Sequence, residues 1–306
     1  MSLPPDYLRY PHRRRGMDHD RYPWSHLFER PRVSWPGGAR VALWVTPIVQ
    51  WFPLDMGAKP FRAPGGLTMP YPDLRHYTQR DYGNRVGIFR ILDLLGRRGV
   101  PASVVVDAAC ARRYPAVVRA VLAGGHEAVA GGAHAAALHH SGLSEGDEAA
   151  MVQGTVAALR EATGQRVQGW LSPGRSQSGR TLDLLAAAGL RYCCDWANDD
   201  MPYAMRAGAG TLHAMPLAYE TDDRVALLEF NHTEDDWAAQ VRDRFDVLHR
   251  ESAEYGGRIM SLPLHAWVSG TPARITYVAE VLDHILGHEG VWAATVASIL
   301  DAFDRG

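Results

Sequence analysis

Residues 124–140 read GGHEAVAGGAHAAALHH: a glycine turn, a short apolar run, a second glycine pair, then a turn rich in histidine. The run 127–130 is strand-sized, and Gly131-Gly132 ends it. Polar groups held just beyond such a strand are the usual sign of chemistry at the C-terminal edge of a parallel sheet. Working outward, the same unit recurs. Upstream, RVALWVTPIV (40–49) is a continuous apolar strand and residues 51–80 are a long loop with repeated Pro and Gly. A helix follows over 84–98, with Val86, Phe89, Ile91 and Leu95 near a 3.6 period, then strand 102–107 and helix 115–123.

Downstream, helix 145–163 opens on Ser144 and Asp147, an approximate capping box. Strands are expected at 168–172, 191–195, 212–216, 225–230, 258–264 and 291–295. Helices are expected at 180–188, 235–252, 272–287 and 296–304, with Thr233 capping the one at 235. Strands alternating with helices predict an α/β fold with a mostly parallel sheet, open or closed as a barrel. Trp35-Pro36-Gly37-Gly38 is a turn cluster. It divides an irregular N-terminal arm, 1–38, from a single domain, 39–306.

The chain has 306 residues, 46% of them apolar, enough for a large core, and a formal charge of −2. That balance argues against nucleic acid or an anionic membrane as partner. The basic run His12 to Arg15 reads as a solvated tail or subunit contact. Three cysteines, Cys110, Cys193 and Cys194, cannot build a disulfide framework, and adjacent Cys193-Cys194 lack zinc-site spacing. No apolar leader or 18-residue apolar window is present, so a cytoplasmic protein is expected.

Six polar clusters follow expected strands and should share one rim. They are Gln50-Trp51, Gly131 to His140, Ser172 to Arg175, Asp195 to Asp200, Glu229 to His232, and His265 to Trp267. Five of the chain's motifs, in order, resemble the polysaccharide-deacetylase family, and in particular its intracellular, ureide-opening branch. They are the strand ending at Gln50, RDYGNRVG (80–87), the Gly-His-Glu frame at 125–127, SPGR (172–175) with NDDMPY (198–203), and MSLPLHAW (260–267). The resemblance implies a distorted (β/α) barrel of about seven strands, acting on a C–N bond of a small amide, imide or ureide.

The metal-using members of that family carry an acidic residue where Gln50 stands. They place a His four residues after the Glu of the frame and another four residues later. Those positions are Gly131 and Ala135 here. No metal and no cofactor are therefore expected. Gln50 orients substrate or bonds the backbone. His134, His139 and His140 offer substrate contacts, with His134 and His139 as catalytic candidates. His265 is the leading acid–base candidate, because imidazole is the side chain suited to proton transfer near neutral pH and this one ends an apolar strand.

Arg175 could grip a carboxylate or ureide oxygen, or pair with an Asp across the rim. Asp199, as a catalytic carboxylate, and Asp195 and Asp200 could receive N–H groups. Trp51, Asp81, Arg85, Gly131 and Trp267 complete the expected substrate wall, with Asn84 capping the helix that Asp81 and Arg85 flank. Glu220, Asp222 and Asp223 read as solvated loop charges. Gly131 should leave extra volume beside His265.

Three readings stand. One is a metal-independent C–N hydrolase. The second is a condensing, cyclising, isomerising or lyase enzyme in the same pocket. The third is a silent ligand-binding homologue. The expected partners are a small-molecule substrate and further copies of the chain in a dimer or tetramer.

Overall fold

The computed structural model describes residues 19–56, 72–208 and 210–305. The basic run at 12–15 lies outside them. Nine strands form one curled sheet: β1 Val41–Val49, β2 Ser103–Val106, β3 Glu127–Ala130, β4 Gly169–Trp170, β5 Tyr192–Cys193, β6 Tyr203–Ala207, β7 Gly210–Ala214, β8 Arg258–His265 and β9 Val291–Ala293. The path runs β6-β7-β5-β4-β3-β2-β1-β8, parallel except at the β6–β7 hairpin, while β9 pairs the start of β1. Seven strands thus follow one another in parallel, from β7 to β8. The expected α/β architecture is present, as a half-barrel. All nine residues of β1 are buried, as expected for a parallel strand covered on both faces.

Helices α1 Leu74–Tyr82, α2 Ile88–Arg97, α3 Ala108–Arg113, α4 Pro115–Ala123, α5 Glu145–Thr163, α6 Thr181–Ala187, α7 Glu234–Tyr255, α8 Ile275–Leu286 and α9 Val296–Phe303 complete the fold. Two cores result. Leu43, Val45, Val104, Val106, Leu262 and Leu264 face the helices. Ala42, Trp44, Ile48, Val105, Val129 and Tyr192 face the inside of the curl. Strand alternation alone sorts them.

At the lower end of the curl, Glu127 accepts from Ser103 Oγ and Tyr192 Oη, each 2.6 Å away, and from the Ala297 N–H at the start of α9. Burial pushes its carboxyl upward. On the far side, no strand joins β8 to β7 among the described residues. The 195–218 segment crosses that gap instead, through Ile259 N–H to Asp200 O (3.0 Å) and Ala218 N–H to Ser261 Oγ (2.8 Å).

Five expectations fail here. The helix expected at 84–98 begins at Leu74, N-capped by Asp73, and passes through a π-helical turn, Gly83–Gly87. The extra residue of a π turn shifts the helix phase. Ile88, Ile91, Leu92 and Leu95 are therefore inside, while Val86 and Phe89 are exposed. Asn84 is consequently not a cap but a buried residue within the helix.

The strand expected at 225–230 is a π-helical turn, Val225–Glu229, and the ninth strand is β6, where no strand is expected. Other local signals hold: Ser144 and Thr233 cap α5 and α7, the latter as a full capping box. Residues 19–38 pack onto the body. Arg21 meets Asp183, and Trp35 is 1% exposed with Nε1 donating to Arg258 O.

Candidate active site

His265 ends β8 and pairs in register with Ile48 of β1, two residues before Gln50 on the same face. Asp107 follows β2, its N–H on Val49 O, and Gly131 follows β3, its N–H on Val106 O. Gln50, Asp107 and Gly131 therefore stand side by side at the rim. Below them the inward surface is apolar: Ile48, Val105, Val129, Leu171, Cys194, Met215 and Leu217.

The His265 ring is held by Asp223, expected from sequence to be a solvated loop charge. Asp223 Oδ1 lies 2.7 Å from Nδ1, while Oδ2 accepts the His265 N–H at 2.8 Å and the Ser269 hydroxyl at 2.5 Å. Asp223 is fully buried and Asp222 is 2% exposed, so reading them as solvated loop charges is wrong. Asp222 Oδ1 accepts the N–H groups of Arg224 and Val225, which caps the π turn. Its Oδ2 takes Arg175 at 3.0 Å. Glu220 is exposed and bonded to Arg244, as a surface charge should be. His265 keeps 7% of its side-chain surface open, and Nε2 has no protein partner among the described residues. A carboxylate on Nδ1 fixes the tautomer that leaves Nε2 as the basic nitrogen.

The turn after His265 is seated by glycines. A Cβ at Gly83 would crowd the Trp267 N at 2.6 Å, and one at Gly87 would overlap the Ala266 carbonyl. The Gly-Asn-Arg-Val-Gly segment thus lets the π turn touch the 266–270 backbone directly. Arg85 is exposed, and Asp81 accepts from Tyr114 Oη at 2.9 Å. Buried Asn84 donates to the Gln50 carbonyl at 3.0 Å. Trp267 is buried in a T-shaped contact with Phe52, and its indole N–H has no partner among the described residues.

Arg175, at φ 54°, donates to Leu217 O (2.9 Å) and Ala218 O (2.7 Å) as well as Asp222. Its contacts are with the loop that carries the dyad's carboxylates, and the pairing expected across the rim is with Asp222. Asp199 is ion-paired to Arg30 of the N-terminal segment at 2.5 Å and accepts the Asp200 and Met201 N–H groups. Asp200 contacts Arg244, and burial raises its carboxyl above the usual range. Asp195 is buried under Ser172 and Gln177, both oxygens bonded, and burial raises it also.

The three histidines of 134–140 separate. His139 is buried, 3.2 Å from Glu148, which also accepts from Ser178 and Thr181. It is a core residue, contrary to its expected catalytic place, because the turn rolls its ring inward onto Trp170. His140 is exposed and accepts the Gly142 N–H. His134 is half-buried, edge-on to Trp51, and burial lowers its pKa. Trp51 in turn carries the Arg113 guanidinium over its ring, 4.1 Å from the centroid.

Asp107, 1% exposed, accepts from the Trp51 and Cys110 N–H groups at 2.6 Å each. Burial lifts its carboxyl to about 7. The aspartate before Ala-Ala-Cys is an N-cap signal that could have marked it.

The positions where the resembled family holds its metal do not fit one. Gln50 offers only a neutral amide, and Ala135 is packed into the outer core. A Cβ at Gly131 would lie 2.9 Å from Val105 Cγ1 and 3.1 Å from Asp107 N. The expected extra volume at Gly131 is therefore filled by β2. Asp222, Asp223 and His265 are mutually close enough to ligate a cation, yet their facing oxygens already accept protein N–H and O–H groups.

Comparison with known proteins fits this geometry. The polysaccharide deacetylase family model matches residues 76–193. A probable polysaccharide deacetylase from Pseudomonas aeruginosa superposes with a TM-score of 0.79 at 27% identity, over 93% of this chain and 98% of that one. The structure of PuuE allantoinase superposes with a TM-score of 0.80 at 26% identity, with the same coverage. A Schizosaccharomyces pombe protein named "Putative polysaccharide deacetylase" is 29% identical over 272 residues, 81% of this chain and 83% of that one. The chain is thus similar, over most of its length, to proteins named as polysaccharide deacetylases and to an allantoinase. Among the described residues, no helix is long and apolar enough to cross a membrane.

Proposed function

We propose that this chain is a hydrolase that cleaves a C–N bond in a small amide, cyclic imide or ureide without a metal. The observation that carries the reading is the buried His265–Asp223 pair, 2.7 Å apart, with Nε2 unpartnered at the rim. With Nδ1–H held by Asp223, Nε2 takes a proton from water as the oxygen attacks the carbonyl carbon. The same nitrogen returns that proton to the departing nitrogen as the C–N bond breaks. The imidazolium formed between the two steps is stabilised by the Asp223 carboxylate. The apolar surface of Ile48, Val105 and Leu171 strengthens that attraction by keeping water away.

Asp222 and Arg175 hold the loop that delivers Asp223, so Arg175 is a positioning residue here. Trp51, His134 and Gln50 form the opposite wall, where a planar ureide or imide could lie against the indole. The allantoinase relative makes ureides the first class to test. The vacated metal positions support metal-free chemistry: hydrolysis here rests on acid–base transfer alone.

The test is a screen of allantoin and of small acylated amines and imides, in the presence of chelator, following release of ammonia, amine or carboxylate. Hydrolysis that disappears in His265→Ala supports the reading. Hydrolysis that appears only on adding zinc contradicts it.

A further inference from the structure

Helices α7 and α8 pack together on the outside of the sheet, and between them four side chains gather around Phe245. His249, His284 and His288 all meet its ring, at centroid distances of 5.4, 5.8 and 5.0 Å. Asp246 Oδ1 lies 2.8 Å from His284 Nε2. The hydrogen bond from His288 N–H to Ile285 O carries the helical turn past Leu286, so His284 and His288, four apart, share one face. Their rings are 4.8 Å apart. One ligand atom from each of Asp246, His284 and His288 falls within 4.8 Å of the other two.

We propose that Asp246, His284 and His288 form a binding site for one divalent cation of the zinc class, which clamps α7 to α8. Two imidazoles and a carboxylate are the donor set that zinc accepts, with water completing a tetrahedron. Calcium and magnesium, which demand oxygen ligands, are poor fits for imidazole nitrogen. The tautomer is already arranged. His288 Nδ1 lies 2.8 Å from the His284 carbonyl, which can only accept, so Nδ1 carries the proton and Nε2 keeps a free lone pair. A ligating imidazole is ordinarily fixed in this way, with its second nitrogen bonded to a carbonyl.

His249 is fixed in the same manner, its Nε2 bonded to Glu289 O at 2.9 Å. It borders the site, 5.5 Å ring to ring from His288. On zinc binding, His284 passes to its Nδ1–H tautomer by proton exchange with solvent, which frees the Nε2 lone pair for the metal beside Asp246. Site and dyad lie on different elements, α7–α8 against the β8 terminus and the 222–223 loop, and share no residue.

The experiment uses the full chain without an affinity tag, stripped with chelator, exchanged into buffer and titrated with zinc chloride by calorimetry. The expected result is one equivalent bound, with a rise in the thermal midpoint, and no comparable effect from magnesium. His284→Gln and His288→Gln, each checked for fold by circular dichroism, should bind at least about 100-fold more weakly, since even outer-sphere partners cost roughly 10- to 100-fold. His265→Ala should keep the full equivalent. The proposal is overturned if the stripped chain binds no stoichiometric zinc. It is equally overturned if both glutamine variants bind as the wild type does, or if the equivalent is lost in His265→Ala instead.

Discussion

The two sides of the rim have taken opposite courses. On the β8 side, the carboxylates around the reactive group are fully engaged. Asp223 takes His265 and Ser269, Asp222 takes Arg175 and the π turn, and His265 Nε2 is left without a protein partner among the described residues. On the β1–β3 side, the positions that would hold a metal carry Gln50, Gly131 and Ala135, and backbone packing has closed the space. On the proposed reading, an acid–base pair beside a filled metal cradle means that the two parts of such a site are uncoupled. The His265–Asp223 pair is held without a cation, its anion balanced by backbone N–H groups and a hydroxyl.

That contrast can be broken in several ways. The largest expected effect is at Asp223. Asp223→Ala removes the group that orients His265 and leaves the His265 N–H and Ser269 hydroxyl buried without an acceptor. Turnover should fall by roughly 10³-fold or more, accompanied by a lower thermal midpoint. A variant within tenfold of wild type would show that His265 needs no orienting anion.

Next is Gly131→Ala. The added Cβ meets Val105 and the Asp107 backbone, so stability should drop by about 1–3 kcal/mol, the usual cost of overpacking. Denaturant unfolding at fixed pH measures it. A neutral result would mean that the cradle is open after all, and that Gly131→His with Gln50→Glu could restore a metal site.

A third effect concerns Asp107. Burial raises its carboxyl to about 7, so the folded chain holds a proton that the unfolded chain has already released. The folded state therefore binds more protons between about pH 4 and about pH 7, and its stability falls as pH rises through that window. Asp107→Asn should remove this slope, worth at most about 4 kcal/mol at 1.36 kcal/mol per pKa unit. Parallel stability–pH curves for variant and wild type would place the carboxyl in its ordinary range. The smallest effect is the least visible: chelator should leave turnover unchanged, and a loss of activity would return a metal to the chemistry.

Much of this was legible in the sequence. The β1 run, the Ser144 and Thr233 caps and the strand ending in Leu264-His265 depend on local pattern, and local pattern carried them through. Asp222 and Asp223 were lost because the following VALLE was read as a strand, which made the acids a loop before it. Asp222 in fact caps a π turn, and Asp223 beside it is buried against His265 of β8, 42 residues later. The helix phase failed for a related reason. A π turn adds a residue that a 3.6 period cannot anticipate, and only contact with the 266–270 backbone makes it necessary. His139 shows the reverse error. Its neighbours in sequence suggested a site, while its ring lies against Glu148 and Trp170.

The central claim is that His265 moves a proton rather than merely touching substrate, and His265→Gln tests it most directly. Glutamine can still offer a hydrogen bond at that place but cannot take up and return a proton. On the first C–N substrate that wild type hydrolyses, the variant's kcat should be lower by roughly 10²–10⁴-fold, with KM little changed. A variant that turns over near the wild-type rate would contradict the account, and catalysis would then have to come from another group at the rim.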